Sequence, residues 1–134
     1  PCFQLLIYPA TDMRMDTESL RKNGEGYLLT HDAMIWFRNN YLNDLSECTD
    51  WRTSPLLADS LQNLPPALVI TAGYDPLLDE GLQYADALSK AGVPCQYVCF
   101  ARQIHGFITM GRVMAEANTA VTLCAQTLRQ AMSI

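Results

Sequence analysis

The sequence has 134 residues, enough for one domain with its own core, and 49% hydrophobic with 17% charged residues excludes a disordered chain. Nine Lys and Arg against 14 Asp and Glu give a net charge of −5 with no basic cluster. That balance excludes the phosphate-neutralising face of a nucleic-acid binder and disfavours an anionic membrane surface.

Chain order begins with CFQLLIY (2–8), a nearly continuous apolar run that predicts a strand covered on both faces and stopped by Pro9. It is far too short to span a bilayer, and no charged n-region with an apolar h-region opens the sequence. Residues 10–27 are polar and turn-like. LLTHDAMIWFRNNYLNDL (28–45) predicts a helix, with Thr30 as N-cap and Asp32 in the first turn. Its apolar face is Met34, Phe37, Tyr41, Leu42 and Leu45. The next segment, 50–66, is broken by Ser-Pro and Pro-Pro pairs and reads as loop with a short helical turn.

ALVITAG (67–73) predicts a second buried strand. A helix follows, starting within 76–80 and ending near Ala91, where Gly92 and Pro94 stop it. CQYVCF (95–100) predicts a third strand, with Cys95 and Cys99 as small buried hydrophobes. The last helix is expected over 113–132, with Met114, Ala117, Val121, Cys124, Leu128 and Met132 as its buried stripe. Strands alternating with helices predict an α/β fold with a parallel sheet and right-handed crossovers.

The five cysteines include no C-x-x-C, and no paired histidines accompany them. No zinc site or disulfide framework is therefore expected; no cofactor or other metal is called for, and a reducing cytoplasm fits best. No G-x-G-x-x-G follows a strand, which weakens a nucleotide-binding reading.

Two residues carry candidate chemistry. Asp75 follows the second predicted strand and His105 the third. Parallel strands end at one edge of the sheet, and neighbouring strands bring such loops together. A carboxylate there can hold one imidazole N–H while the other nitrogen acts as a base. Asp75 before Pro76 reads equally as a helix cap, with Asp79 and Glu80 as a rival cap or as complements to the helix dipole. His105 alone reads as a solvated loop histidine. His31, in the first turn of a helix, is a poor base because the dipole opposes its charged form. Trp36, Phe37 and Tyr41 read first as packing and second as a substrate wall.

LPPALVITAGYDPLLDEGLQYADALSKAGVP followed by QIHGF resembles the C-terminal half of an α/β-hydrolase fold, and more narrowly the bacterial hormone-sensitive-lipase-like esterases. FQLLIYPATD, YLLTHDAMIWFRNNYL and DWRTSPLLA extend the resemblance over essentially the whole chain. It implies a carboxylic-ester hydrolase with a Ser-Asp-His triad, in which Asp75 is the acid and His105 the base. Residues 64–134 would carry the strand-helix-strand-helix unit of the catalytic domain, and 10–63 would contribute to a helical cap. Phe37, Leu77, Ile104 and Phe107 are the candidate substrate contacts.

The family's G-x-S-x-G elbow surrounds none of Ser19, Ser46, Ser54, Ser60, Ser89 and Ser133, and its H-G-G-G oxyanion loop is absent. In the family both lie upstream of the strand that FQLLIY resembles. The chain is therefore expected to be part of a longer enzyme, inactive alone. Its expected partners are the missing N-terminal half, a small ester substrate and, through an unpaired strand edge, a second copy of itself. Amide hydrolysis or deacetylation by the same residues, and a noncatalytic association module, are the alternatives.

Overall fold

The computed structural model describes residues 1–133. Three strands, β1 (Gln4–Ile7), β2 (Ala67–Tyr74) and β3 (Cys95–Ile104), form one parallel sheet in the order β1-β2-β3. Four helices accompany them: α1 (Glu18–Asn23), α2 (His31–Tyr41), α3 (Leu78–Lys90) and α4 (Ala115–Met132). Short 3₁₀ turns occupy Leu45–Thr49, Pro55–Leu57 and Phe107–Thr109.

β2 explains the architecture. Its residues alternate between two buried faces, as the period of a strand requires. Ala67 and Val69 pack with Tyr84, Ala85 and Leu88 of α3 and with Val93. Leu68, Ile70 and Ala72 pack on the other face with Phe107 and with Ala117, Ala120 and Cys124 of α4. The sheet is thus a middle layer, and only its central strand is covered on both sides. β1 and β3 flank it, so the full burial expected of β1 is not found: its four residues are all half-buried. Cys99 on β3 is exposed and Cys95 half-exposed for the same reason, which corrects their expected burial. All five cysteines are free.

Helix boundaries follow local chemistry. Thr17 and Thr30 cap α1 and α2 by accepting hydrogen bonds from the amides of Leu20 and Ala33. Gly92, at φ +79°, takes the left-handed conformation after α3 that glycine tolerates best. The α1 turn within 10–27 was not expected; a cap at Thr17 and contacts from Asp79 supply what its short sequence lacks.

Two predicted stripes need correction. On α2 only Met34 is buried, with Leu42 just beyond it, while Phe37, Tyr41 and Leu45 are 58%, 65% and 60% exposed. On α4 the buried stripe is Ala117, Ala120 and Cys124, and Val121 and Met132 are exposed. Ala117, Ala120 and Cys124 are the α4 residues buried with Leu68, Ile70, Ala72 and Phe107, and Met114 and Leu123 pack at the margin of that cluster.

Candidate active site

β2 and β3 end at the same edge, and a register shift decides what meets there. Ala72 pairs with Phe100, but Tyr74 pairs with Ile104. β3 therefore uses four residues where β2 uses two. Without this bulge Tyr74 would face Arg102, and His105 would overshoot Asp75. With it, the next residue of each strand is Asp75 and His105. Gly73 makes the bulge feasible, since a Cβ there would collide with the backbone of Ala101.

The Asp75 carboxylate is fully buried and its two oxygens do different work. Oδ2 lies 2.8 Å from His105 Nδ1, and Oδ1 accepts the backbone N–H of Leu77 at 2.8 Å. The capping alternative is replaced by a combined one: Asp75 closes the turn before α3 and holds the histidine. Leu77, rather than Asp75, is the N-cap of α3. Asn23 donates from Nδ2 to the Asp75 carbonyl at 3.2 Å, tying α1 to the same turn.

His105 is 24% exposed, and beyond Nδ1 its ring makes no hydrogen bond among the described residues. Tyr8 packs on it at a centroid distance of 4.3 Å. Tyr8 itself has φ 36°, a conformation rare for an aromatic residue, so the chain turns sharply after β1 to put the ring there. Burial, and secondarily the charge of Asp75, push the Tyr8 hydroxyl pKa upward, which keeps it neutral. Gly106, at φ +81°, then turns the chain from His105 into the Phe107–Thr109 turn.

His105 opens on a cavity of about 370 Å³. The 10–15 segment, α2 and the start of α3 complete its walls, which are mostly apolar. Of the candidate substrate contacts, Phe37 and Leu77 line it. Ile104 and Phe107 do not. Ile104 ends β3, and Phe107 is fully buried in the sheet–α4 core, 5.0 Å from Phe100 and 6.2 Å from Tyr8 between ring centroids. Phe107 therefore braces Tyr8, which in turn braces His105. His31 lies elsewhere, at the start of α2.

Glu80 was expected to complement a helix dipole. Instead it is buried at the cavity wall, where Oε1 accepts the amides of Thr11 at 2.6 Å and Asp12 at 3.1 Å. Burial outweighs these bonds and raises its pKa to about 7. Asp12 is also buried, which alone would raise its carboxyl. The side-chain and backbone hydrogen bonds and the charge of Arg14 outweigh that effect and hold it below the usual range. Asp79 exchanges hydrogen bonds with Ser19, 2.7 Å from its amide to Oδ2 and 3.1 Å in return. The Glu80 and Asp79 contacts have no local sequence signal, because each joins residues sixty or more apart. Among the described residues no group of acids, histidines and cysteines could hold a metal ion, and no helix is long and apolar enough to cross a membrane.

The family model described as the alpha/beta hydrolase fold matches residues 1–109. The carboxylic ester hydrolase LipN of Mycobacterium tuberculosis is 44% identical over 111 residues, covering 82% of this chain and 30% of its own length. The ethyl acetate hydrolase of Pseudomonas putida is 36% identical over 130 residues, covering 97% of this chain and 41% of its own. Among solved structures, the ester hydrolase EH1AB1 from the metagenome of Lake Arreo superposes with a TM-score of 0.94 at 42% identity, over all of this chain and 42% of that one. The carboxylesterase EstE1, cloned from a metagenomic library, gives 0.93 at 41% identity, over 97% of this chain and 45% of that one. This chain thus spans less than half the length of each of these relatives. With the parallel sheet, the shared strand edge and these matches together, the chain belongs to the alpha/beta hydrolase fold family.

Proposed function

We propose that this chain supplies the acid and base of a serine-dependent carboxylic-ester hydrolase, and that the nucleophile and oxyanion donors come from a segment outside these 134 residues. The observation that carries this is the 2.8 Å contact between Asp75 Oδ2 and His105 Nδ1 beside an apolar cavity. Asp75 holds Nδ1 as the protonated nitrogen and orients the ring. Nε2 is then the free base. It takes the proton of a serine hydroxyl as that oxygen attacks the ester carbonyl, and returns it to the leaving alkoxide. A water molecule then repeats the cycle on the acyl-enzyme. The Asp75 carboxylate stabilises the imidazolium formed at each proton transfer.

The names of the relatives favour an ester over an amide substrate. The cavity suits a short or medium acyl chain. Residues 10–63 act as part of a cap above it, and the free cysteines fit a reducing cytoplasm.

A serine-directed phosphonate tests the arrangement. It should label one serine of the whole protein, with labelling lost in His105→Ala. It should label none of the six serines of the 134-residue chain alone. Stoichiometric labelling of any of those six would place the nucleophile inside this chain and overturn the proposal.

A further inference from the structure

The cavity beside His105 contains a cation that the catalytic cycle does not use. Arg38 of α2 lines it, half-buried. Its Nε is enclosed without a hydrogen-bond partner, the sole buried side-chain nitrogen or oxygen so left among the described residues. It makes no ion pair among those residues. The two acids that share the cavity are committed elsewhere. Asp12 takes Arg14 at 2.6 Å, and Glu80 Oε1 takes two backbone amides. A guanidinium is always charged and presents a planar fork of donors. Left without a counter-ion against a mostly apolar wall, it favours a ligand that brings one.

We propose that Arg38 is a specificity-determining residue that pairs with a carboxylate at the far end of the substrate's acyl chain. The preferred substrates are then half-esters of dicarboxylic acids, whose methylene chain lies along the methionine and leucine wall. This rests on the ester-hydrolase reading for the reaction, but not for the binding site. Burial of Glu80, which keeps that carboxyl protonated into the neutral range, limits its repulsion of such an anion, and Arg14 offsets Asp12.

The test compares monomethyl adipate with methyl hexanoate in the whole enzyme, by titrating the acid released. The two acyl chains have the same length and differ in the terminal carboxylate. Arg38→Met should lower kcat/KM for monomethyl adipate about tenfold or more, mainly through KM, and change methyl hexanoate by no more than about twofold. Arg38→Lys should retain part of the preference, which a merely structural role would not predict. Equal losses on both esters, or no preference in the unmodified enzyme, would overturn the proposal. Calorimetric titration of His105→Ala with monomethyl adipate, with and without Arg38→Met, separates the two readings. If neither ester is cleaved but this binding depends on Arg38, the ester-hydrolase reading falls and the carboxylate site stands. If binding is indifferent to Arg38, the site falls.

Discussion

The Asp75 carboxylate makes two contacts of equal length: it accepts the backbone N–H of Leu77 and lies against His105 Nδ1, both at 2.8 Å. The first fixes the carboxylate in the turn, and the second uses that fixed carboxylate to fix the imidazole. A buried acid with both oxygens engaged has little freedom to swing away, so orientation of His105 is built into the start of α3.

Tyr8 is the other support of that ring. Tyr8→Phe keeps the packing and should leave turnover of a p-nitrophenyl ester within about twofold, while Tyr8→Ala removes an aromatic contact of about 0.5–1.5 kcal/mol and should lower kcat more than it raises KM. Steady-state kinetics on both variants decide this. An unchanged kcat in Tyr8→Ala would remove Tyr8 from the positioning of His105.

Glu80 gives stability a pH dependence of definite sign. Its folded pKa is raised from 4.5 to about 7. The stability it contributes is complete below about 4.5 and is lost as pH rises through about 7, a span worth about 3 kcal/mol at most. Glu80→Gln lacks this titration. Relative to the unmodified protein, the variant should therefore gain stability between pH 5 and pH 8. Urea unfolding of both proteins at the two pH values is the measurement. A difference that stays flat, or that moves against the variant at pH 8, would contradict the buried-carboxyl account.

Among the described residues β1 pairs only with β2, and its other edge carries the unpaired backbone of an uncharged run from Phe3 to Tyr8. Such an edge templates strand addition. The 134-residue chain by itself should sediment as a dimer or larger species at low micromolar concentration. Supplying the segment that the proposed function places outside these 134 residues should suppress this. A single monomeric boundary with a cooperative melt would show that the edge does not drive association.

Much of this arrangement is legible in the sequence where the signals are local. The apolar run of β2, the Thr30 cap and the Gly92 stop mark elements because each is a property of a few adjacent residues. Asp75 and His105 stand out as neighbours because both follow strands that a parallel sheet ends at one edge, but their roles as acid and base come from the resemblance to the esterases rather than from spacing. The bulge that aligns them is not, because it depends on how β3 pairs rather than on its composition. Glu80, Asn23 and Tyr8 escape for a similar reason: each acts on residues far away in the chain. Phe107 illustrates the converse. It stands among the candidate substrate contacts, but after the left-handed turn at Gly106 it is fully buried in the core.

The most direct test of the central claim is turnover by Asp75→Asn in the whole enzyme, set against Asp79→Asn. Asparagine can still accept from Leu77, so the fold should persist, but it no longer enforces the tautomer that leaves Nε2 free. The account predicts a fall in kcat of up to about 10⁴-fold for Asp75→Asn and a far smaller one for Asp79→Asn, whose partner is Ser19 rather than His105. A folded Asp75→Asn enzyme with full activity would contradict it.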